Sequence, residues 1–232
     1  MTFDPALFFD ALFSWPFFEG AVVTVVLTIL SHAVGIALGL CLAVASGARS
    51  RTLRAFVVFY VWLFRGAPVL LLLLFVWNAL PQLIPAFRQN WFTPFLAALL
   101  ALGLNETAYQ SEIIRAALLS VPAGQRDAAA ALGLSRFKAF WLVVAPQALR
   151  VALPPTVNEF ITLLKTTSLA SVISLQELLA VTTRATSVSF RYTEYYAVAL
   201  VYYLAIVSVL MLVQARVERR LGTAGPARLH HA

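Results

Sequence analysis

Ionisable and amide side chains stand inside stretches that are otherwise apolar: His32, Arg65, Glu106, Glu112, Asn158, Glu159 and Lys165. In hydrocarbon such groups are costly, so they face an aqueous pathway, a protein partner or the headgroups. They are densest around residue 160. There Asn158, Thr162 and Lys165 fall near one helical stripe, and Glu159, Thr162 and Thr166 near the adjacent one, by the i, i+3, i+4, i+7 rule. Groups of this kind hydrogen-bond a polar solute, relay a proton or pair with another helix. Glu159 and Lys165 are six positions apart, too far round the helix to pair with each other.

A second polar stripe runs through Asn105, Tyr109 and Glu112. Glu112 and Arg115, three apart, predict a local salt bridge. Glu106 lies deeper and is the pathway candidate of this segment; the plainer reading is a buried, hydrogen-bonded acid. Arg65-Gly66-Ala67-Pro68 interrupts another apolar run. Gly and Pro permit a kink where freed backbone groups meet protein or water, and Arg65 either lines that break or snorkels to the headgroups. His32 has no histidine or acid three or four positions away, which predicts a satisfied interior imidazole rather than a metal ligand.

Bond-breaking chemistry finds no residues here. The chain carries no Ser/His/Asp set, paired-aspartate motif or H-E-x-x-H. Its lysines, Lys138 and Lys165, follow Phe137 and Leu164 rather than a phosphate-cradling glycine loop. Cys41 is the single cysteine, so neither an intrachain disulfide nor a cysteine metal cage can form. No cofactor is expected on this chain.

The elements that position these residues follow from composition. Of 232 residues, 61% are apolar and 12% charged, about half the charge of a soluble domain. That leaves too little polar surface for a water-soluble globule and predicts an all-α, polytopic bundle. Apolar runs place spans at Gly20–Ser46, Ala55–Leu80, Thr93–Leu119 and Tyr195–Val217, with another at about Leu153–Leu175 blurred by prolines. The formal charge of +7 does not imply nucleic acid, because the arginines cluster between spans. Arg49, Arg51 and Arg54 follow the first span; Arg126, Arg136, Lys138 and Arg150 follow the third; the C-terminal end is basic. The positive-inside rule then predicts five spans, N-terminus out and C-terminus in. It gives an extracytoplasmic segment 1–18, a transmembrane domain 19–218 with a cytoplasmic loop at about 120–150, and a cytoplasmic basic tail 219–232.

That loop holds a compact helix–turn–helix. GQRDAAAALG predicts about two helical turns, with Asp127 near the positive N-terminal end and Gly133 as left-handed C-cap. Ser135 caps the next helix. Four consecutive alanines leave a slim rod that suits a groove on another protein. A plain linker is one alternative. DNA binding is another, but the second helix continues as FWLVVA, with nothing to read base edges.

Asp127-Ala128-Ala129, Gly133 and Val143-Val144-Ala145-Pro146 resemble, in residue type and spacing, the EAA loop of ABC importer permeases; Asp127 stands for the family's Glu, Val143 for its Ile and Ala145 for its Leu. Three further stretches are similar to the polar amino acid subfamily: Leu63–Phe75, Thr107–Gln125 and Leu153–Ile173. The resemblance covers roughly residues 18–218. It implies a type I importer permease in the bacterial cytoplasmic membrane. Two permease subunits, identical or homologous, would form the pathway in membrane lipid. Separate ABC ATPase subunits holding ATP and Mg would dock on the loop through Gly124, Asp127, Ala128, Ala129 and Gly133. An extracytoplasmic solute-binding protein would deliver a polar amino acid. For such a zwitterion Glu159 would accept from the ammonium, and Asn158, Thr162 or Thr166 would donate to the carboxylate. The alternative is an ion-coupled secondary transporter in which Glu106 or Glu159 relays protons, although no inverted repeat is visible in five helices.

Overall fold

The computed structural model describes residues 3–221 and is all helical among them. The C-terminal histidines and the predicted basic tail from residue 222 onward lie outside the described residues. A short helix α1 (Pro5–Leu12) precedes the long α2 (Trp15–Ser46). The Asp4 side chain accepts from the Ala6 and Leu7 amides and starts α1.

The second apolar run is not one rod. It forms α3 (Arg51–Gly66), then α4 (Val69–Leu74), a π turn (Phe75–Ala79), α5 (Leu80–Leu83) and a 3-10 turn (Pro85–Arg88). The two halves meet at 102° across Gly66–Pro68. The Phe64 carbonyl would ordinarily bond the amide four residues on, but that residue is Pro68, which has no N–H. Asn105 fills the vacancy, its Nδ2 donating to Phe64 O at 2.6 Å.

The central helix is α6 (Pro94–Ser120), capped by Thr93, whose hydroxyl accepts from the Leu96 amide. Its close partner is α2. Gly35 and Gly39 make that approach possible: a Cβ on Gly35 would stand 2.3 Å from Glu106 Cγ, and one on Gly39 would stand 2.9 Å from Gln110 Cβ. Small residues four apart are the usual route to close helix contact in a membrane.

The loop after α6 carries α7 (Ala123–Ala131) and α8 (Arg136–Ala139), which runs through a π turn (Phe140–Val144) into α9 (Ala145–Thr166) and a 3-10 segment (Thr167–Ile173). The helical stretch Arg136–Ile173 is thus far longer than the predicted Leu153–Leu175. Pro146, Pro154 and Pro155 do not break it. The π turn ahead of Pro146 absorbs one irregularity, while Pro154 and Pro155 sit inside α9 without ending it.

Between this stretch and the last span the chain forms one more helix. Ser174 turns the chain with φ 65°, Glu177 caps α10 (Leu178–Ser189), and Phe190 turns it again with φ 58° before α11 (Tyr192–Leu221). Glu177 is fully buried, accepting from the Leu179 and Ala180 amides at 2.9 and 2.6 Å and from Tyr203 OH at 3.2 Å. α10 packs on α2, where Gly20 meets the Leu178 backbone.

Among the described residues three helical stretches, Trp15–Ser46, Arg136–Ile173 and Tyr192–Arg219, are long and apolar enough to cross a membrane, and the bent pair counts as a fourth where its two halves are taken as one span. Val26, Ile29, Leu204 and Leu212 are among the apolar side chains exposed on their outer faces, as a lipid surface requires.

Candidate functional site

The polar stripe of α9 is real and outward-facing. Asn158, Thr162 and Lys165 are exposed, while Glu159 and Thr166 are half-buried beside them. Thr162 and Thr166 donate to the carbonyls of Asn158 and Thr162, at 3.1 and 2.9 Å. Their hydroxyl protons are therefore used locally, and their oxygens remain as acceptors. Such a face suits water or protein, not hydrocarbon.

Behind it lies a chain of hydrogen bonds through three helices. Glu106 is 1% exposed. Its Oε1 meets His32 Nδ1 of α2 at 2.8 Å and accepts from Gln110 Nε2 at 2.8 Å. Gln110 Oε1 in turn accepts from Thr156 Oγ1 of α9 at 3.2 Å. Phe160 closes the cluster, its ring edge-to-face with His32 at 5.0 Å. Glu159 lies within electrostatic reach of Glu106, His32 and Arg65. The structure therefore brings Asn158, Glu159, Thr162 and Thr166 together on α9 and sets Glu106 one layer inward, between α2 and α6.

Sequence reasoning expected a satisfied His32 but had no way to name Glu106 as its partner. Gln110 was the accessible signal, since it stands four positions from Glu106 on one helix face. The expected Glu112–Arg115 bridge forms at 2.6 Å. Arg65 is exposed at the end of α3, its guanidinium 5.1 Å from the centre of the Tyr109 ring, a cation–π distance. Among the described residues no group of three or more His, Cys, Asp or Glu could hold a metal.

At the other end of the bundle stands the α7 elbow. Gly133 has φ +74°, and the bonds Leu134 N to Ala129 O and Gly133 N to Ala130 O complete a Schellman cap. Ser135 Oγ accepts from the Lys138 amide and starts α8. Asp127 corrects the sequence reading. Pro122 lets the helix begin at Ala123, so Asp127 lies beyond the first turn and away from the helix N-terminus. The alanine rod also has a buried side: Ala129 is 2% exposed, packed toward the π turn, whereas Gly124, Asp127, Ala128 and Gly133 are exposed. Next to it Leu132 and Phe137 project, 81% and 72% exposed.

The structure is thus a helical bundle with a polar face on one helix and a capped elbow at one end. The chain belongs to the family described as binding-protein-dependent transport system inner membrane component, which matches residues 35–223. It is 41% identical to the L-cystine transport system permease protein TcyB of Bacillus subtilis, over 89% of this chain and 87% of that one. It is 35% identical to the glutamine transport system permease protein GlnP of Escherichia coli (strain K12), over 92% of this chain and 98% of that one. Among solved structures, an amino acid ABC transporter crystallised with histidines superposes with a TM-score of 0.85 at 32% identity, covering 95% of this chain and 100% of the other. The MetNI methionine ABC transporter shares the fold, with a TM-score of 0.72 at 20% identity over 89% and 96% of the two chains. This is the permease fold of a type I ABC importer, and the chain is its non-enzymatic membrane subunit.

Proposed function

We propose that this chain is one of a pair of permease subunits that carry polar amino acids across the bacterial cytoplasmic membrane. The exposed stripe Asn158–Thr162–Lys165 carries this reading. A charged residue at the centre of a bilayer costs about 2.5–3.5 kcal/mol or more, so the stripe faces a second permease copy across a water-filled path. Glu159 receives the ammonium of the cargo and Asn158, with Thr162 and Thr166 close by, its carboxylate region. Glu106 acts from behind, holding α9 through Gln110. Relatives named for L-cystine, octopine and glutamine support a cargo with an amino acid backbone.

Energy enters from outside the chain. Separate ATPase subunits, holding ATP and Mg, grip α7 around Gly124, Asp127, Ala128, Ala129 and Gly133, and the exposed Leu132 and Phe137 support such a contact. The C-terminal end and α7 face the cytoplasm, residues 1–18 lie outside, and a solute-binding protein delivers cargo there. The test is uptake of radiolabelled amino acids by proteoliposomes holding the whole complex. Uptake is expected to stop when ATP is withdrawn with a proton gradient intact. Uptake that persists on the gradient alone would favour the ion-coupled alternative.

A further inference from the structure

Two cavities on the α7 side of the bundle run into one another. The deeper is a groove of about 400 Å³ between Ile36 and Leu40 of α2, Ile114 of α6, and Ala148 and Ala152 of α9. The other, of about 580 Å³, is bordered by Arg115, Arg126 and Arg136. Val44, Leu118 and Phe140 line both, so the two are continuous.

Depth and chemistry change together along this cleft. The deep part is aliphatic and aromatic; its polar members, Gln110 and Thr156, are bonded to each other. The outer part includes Ser46 and Gly47, where α2 ends, and Leu119, one residue before the end of α6. α2 and α6 both end beside this outer part, so Arg115, Arg126 and Arg136 stand at one end of the helix pair. No carboxylate is among the residues lining that outer part. Arg115 is partly offset by its ion pair with Glu112, and one Arg126 nitrogen donates to Leu118 O at 3.2 Å, so Arg126 and Arg136 supply most of the positive charge of the cavity. Arg49, Arg51 and Arg54 follow directly after Gly47. The groove uses Ala145, Ala148 and Ala152 of α9, a different face from Asn158, Thr162 and Lys165.

An apolar slot that opens into a basic cup at the end of α2 and α6 fits a molecule with an anionic head and an acyl tail. We propose that the cleft binds one anionic phospholipid of the leaflet on the α7 side, with its phosphate among Arg115, Arg126 and Arg136 and an acyl chain between α2, α6 and α9. Charge complementarity selects this occupant over a neutral lipid or an apolar helix. The lipid then bridges the elbow (Arg126), the start of the α8–α9 helix (Arg136) and the central helix (Arg115). The proposal requires only that this end of the bundle meet a membrane surface, so it stands or falls separately from the identity of the cargo.

Native mass spectrometry of the whole detergent-purified complex tests it, by titration with phosphatidylglycerol, phosphatidylcholine and inorganic phosphate. Expected is one tightly retained phosphatidylglycerol per permease chain, with phosphatidylcholine held roughly tenfold or more weakly. R126Q/R136Q is expected to erase that preference, and Ala148→Phe, which fills the groove, to weaken both lipids. Equal retention of the two lipids by the unmodified complex would overturn the proposal without reference to any variant. So would displacement of the lipid by millimolar phosphate, which marks a free-ion site, or absence of any retained lipid because another subunit covers the cleft.

Discussion

His32 Nδ1 on α2 lies 2.8 Å from Glu106 Oε1 on α6, across 74 positions of sequence. The contact exists because Gly35, one turn further along α2, offers bare backbone against which the Glu106 side chain lies. Removing the imidazole leaves the buried carboxyl hydrogen-bonded to Gln110. His32→Ala is expected to cost about 1–3 kcal/mol, and Glu106→Gln less, because an amide still offers His32 a hydrogen-bonding partner. Thermal unfolding of the detergent-solubilised chain, followed by fluorescence, reads the order; equal losses would contradict it.

Gly35→Ala tests the same interface by steric means. Its Cβ would sit 2.3 Å from Glu106 Cγ, whereas a Cβ on Gly103 meets Val34 Cγ1 at 3.3 Å. Overpacking of the first kind costs about 1–3 kcal/mol or more, so Gly35→Ala is expected to lower the unfolding temperature clearly and Gly103→Ala only slightly. A Gly35→Ala protein as stable as the parent would mean that α2 and α6 do not approach as described.

Burial pushes the Glu177 carboxyl up to about 7, against the opposing pull of the Leu179 and Ala180 amides and Tyr203. With the folded value raised, the associated stability is fully present below the ordinary carboxylate range and is lost as pH rises through about 7. The unfolding temperature is therefore expected to fall between pH 5 and 8, and Glu177→Gln to flatten that part of the profile. An unchanged profile in the variant would rule out Glu177 as its source.

Gly133→Pro strikes the elbow. Proline requires φ near −65°, whereas Gly133 has φ +74° and donates its amide to Ala130. The expected result is normal membrane insertion with ATP hydrolysis no longer coupled to uptake. Normal uptake would count against docking through α7.

Much of this architecture was written locally in the sequence. Runs of apolar residues located α2, α6 and α11, and Arg65-Gly66-Ala67-Pro68 announced the break between α3 and α4. The α9 stripe was legible because Asn158, Thr162 and Lys165 recur at helical spacing. What depended on distant partners was not legible: the acid that satisfies His32, or the carbonyl of Phe64 that Asn105 serves. α10 escaped because its start rests on a buried glutamate cap rather than on Ser, Thr, Asp or Asn, and because two left-handed turns at non-glycine residues bound it. The elbow helix begins at Ala123, one residue before the start read from GQRDAAAALG, and that shift leaves Asp127 just past the first turn.

Site-specific crosslinking at Ala128, exposed on α7, addresses the mechanical core of the proposal. With the exposed Cys41 replaced by Ser, Ala128→Cys is introduced into intact cells expressing the full transporter. The account predicts a covalent adduct with an ATPase subunit and protection from membrane-impermeant thiol reagents applied outside. Labelling from outside, or failure to capture an ATPase at this residue, would contradict it.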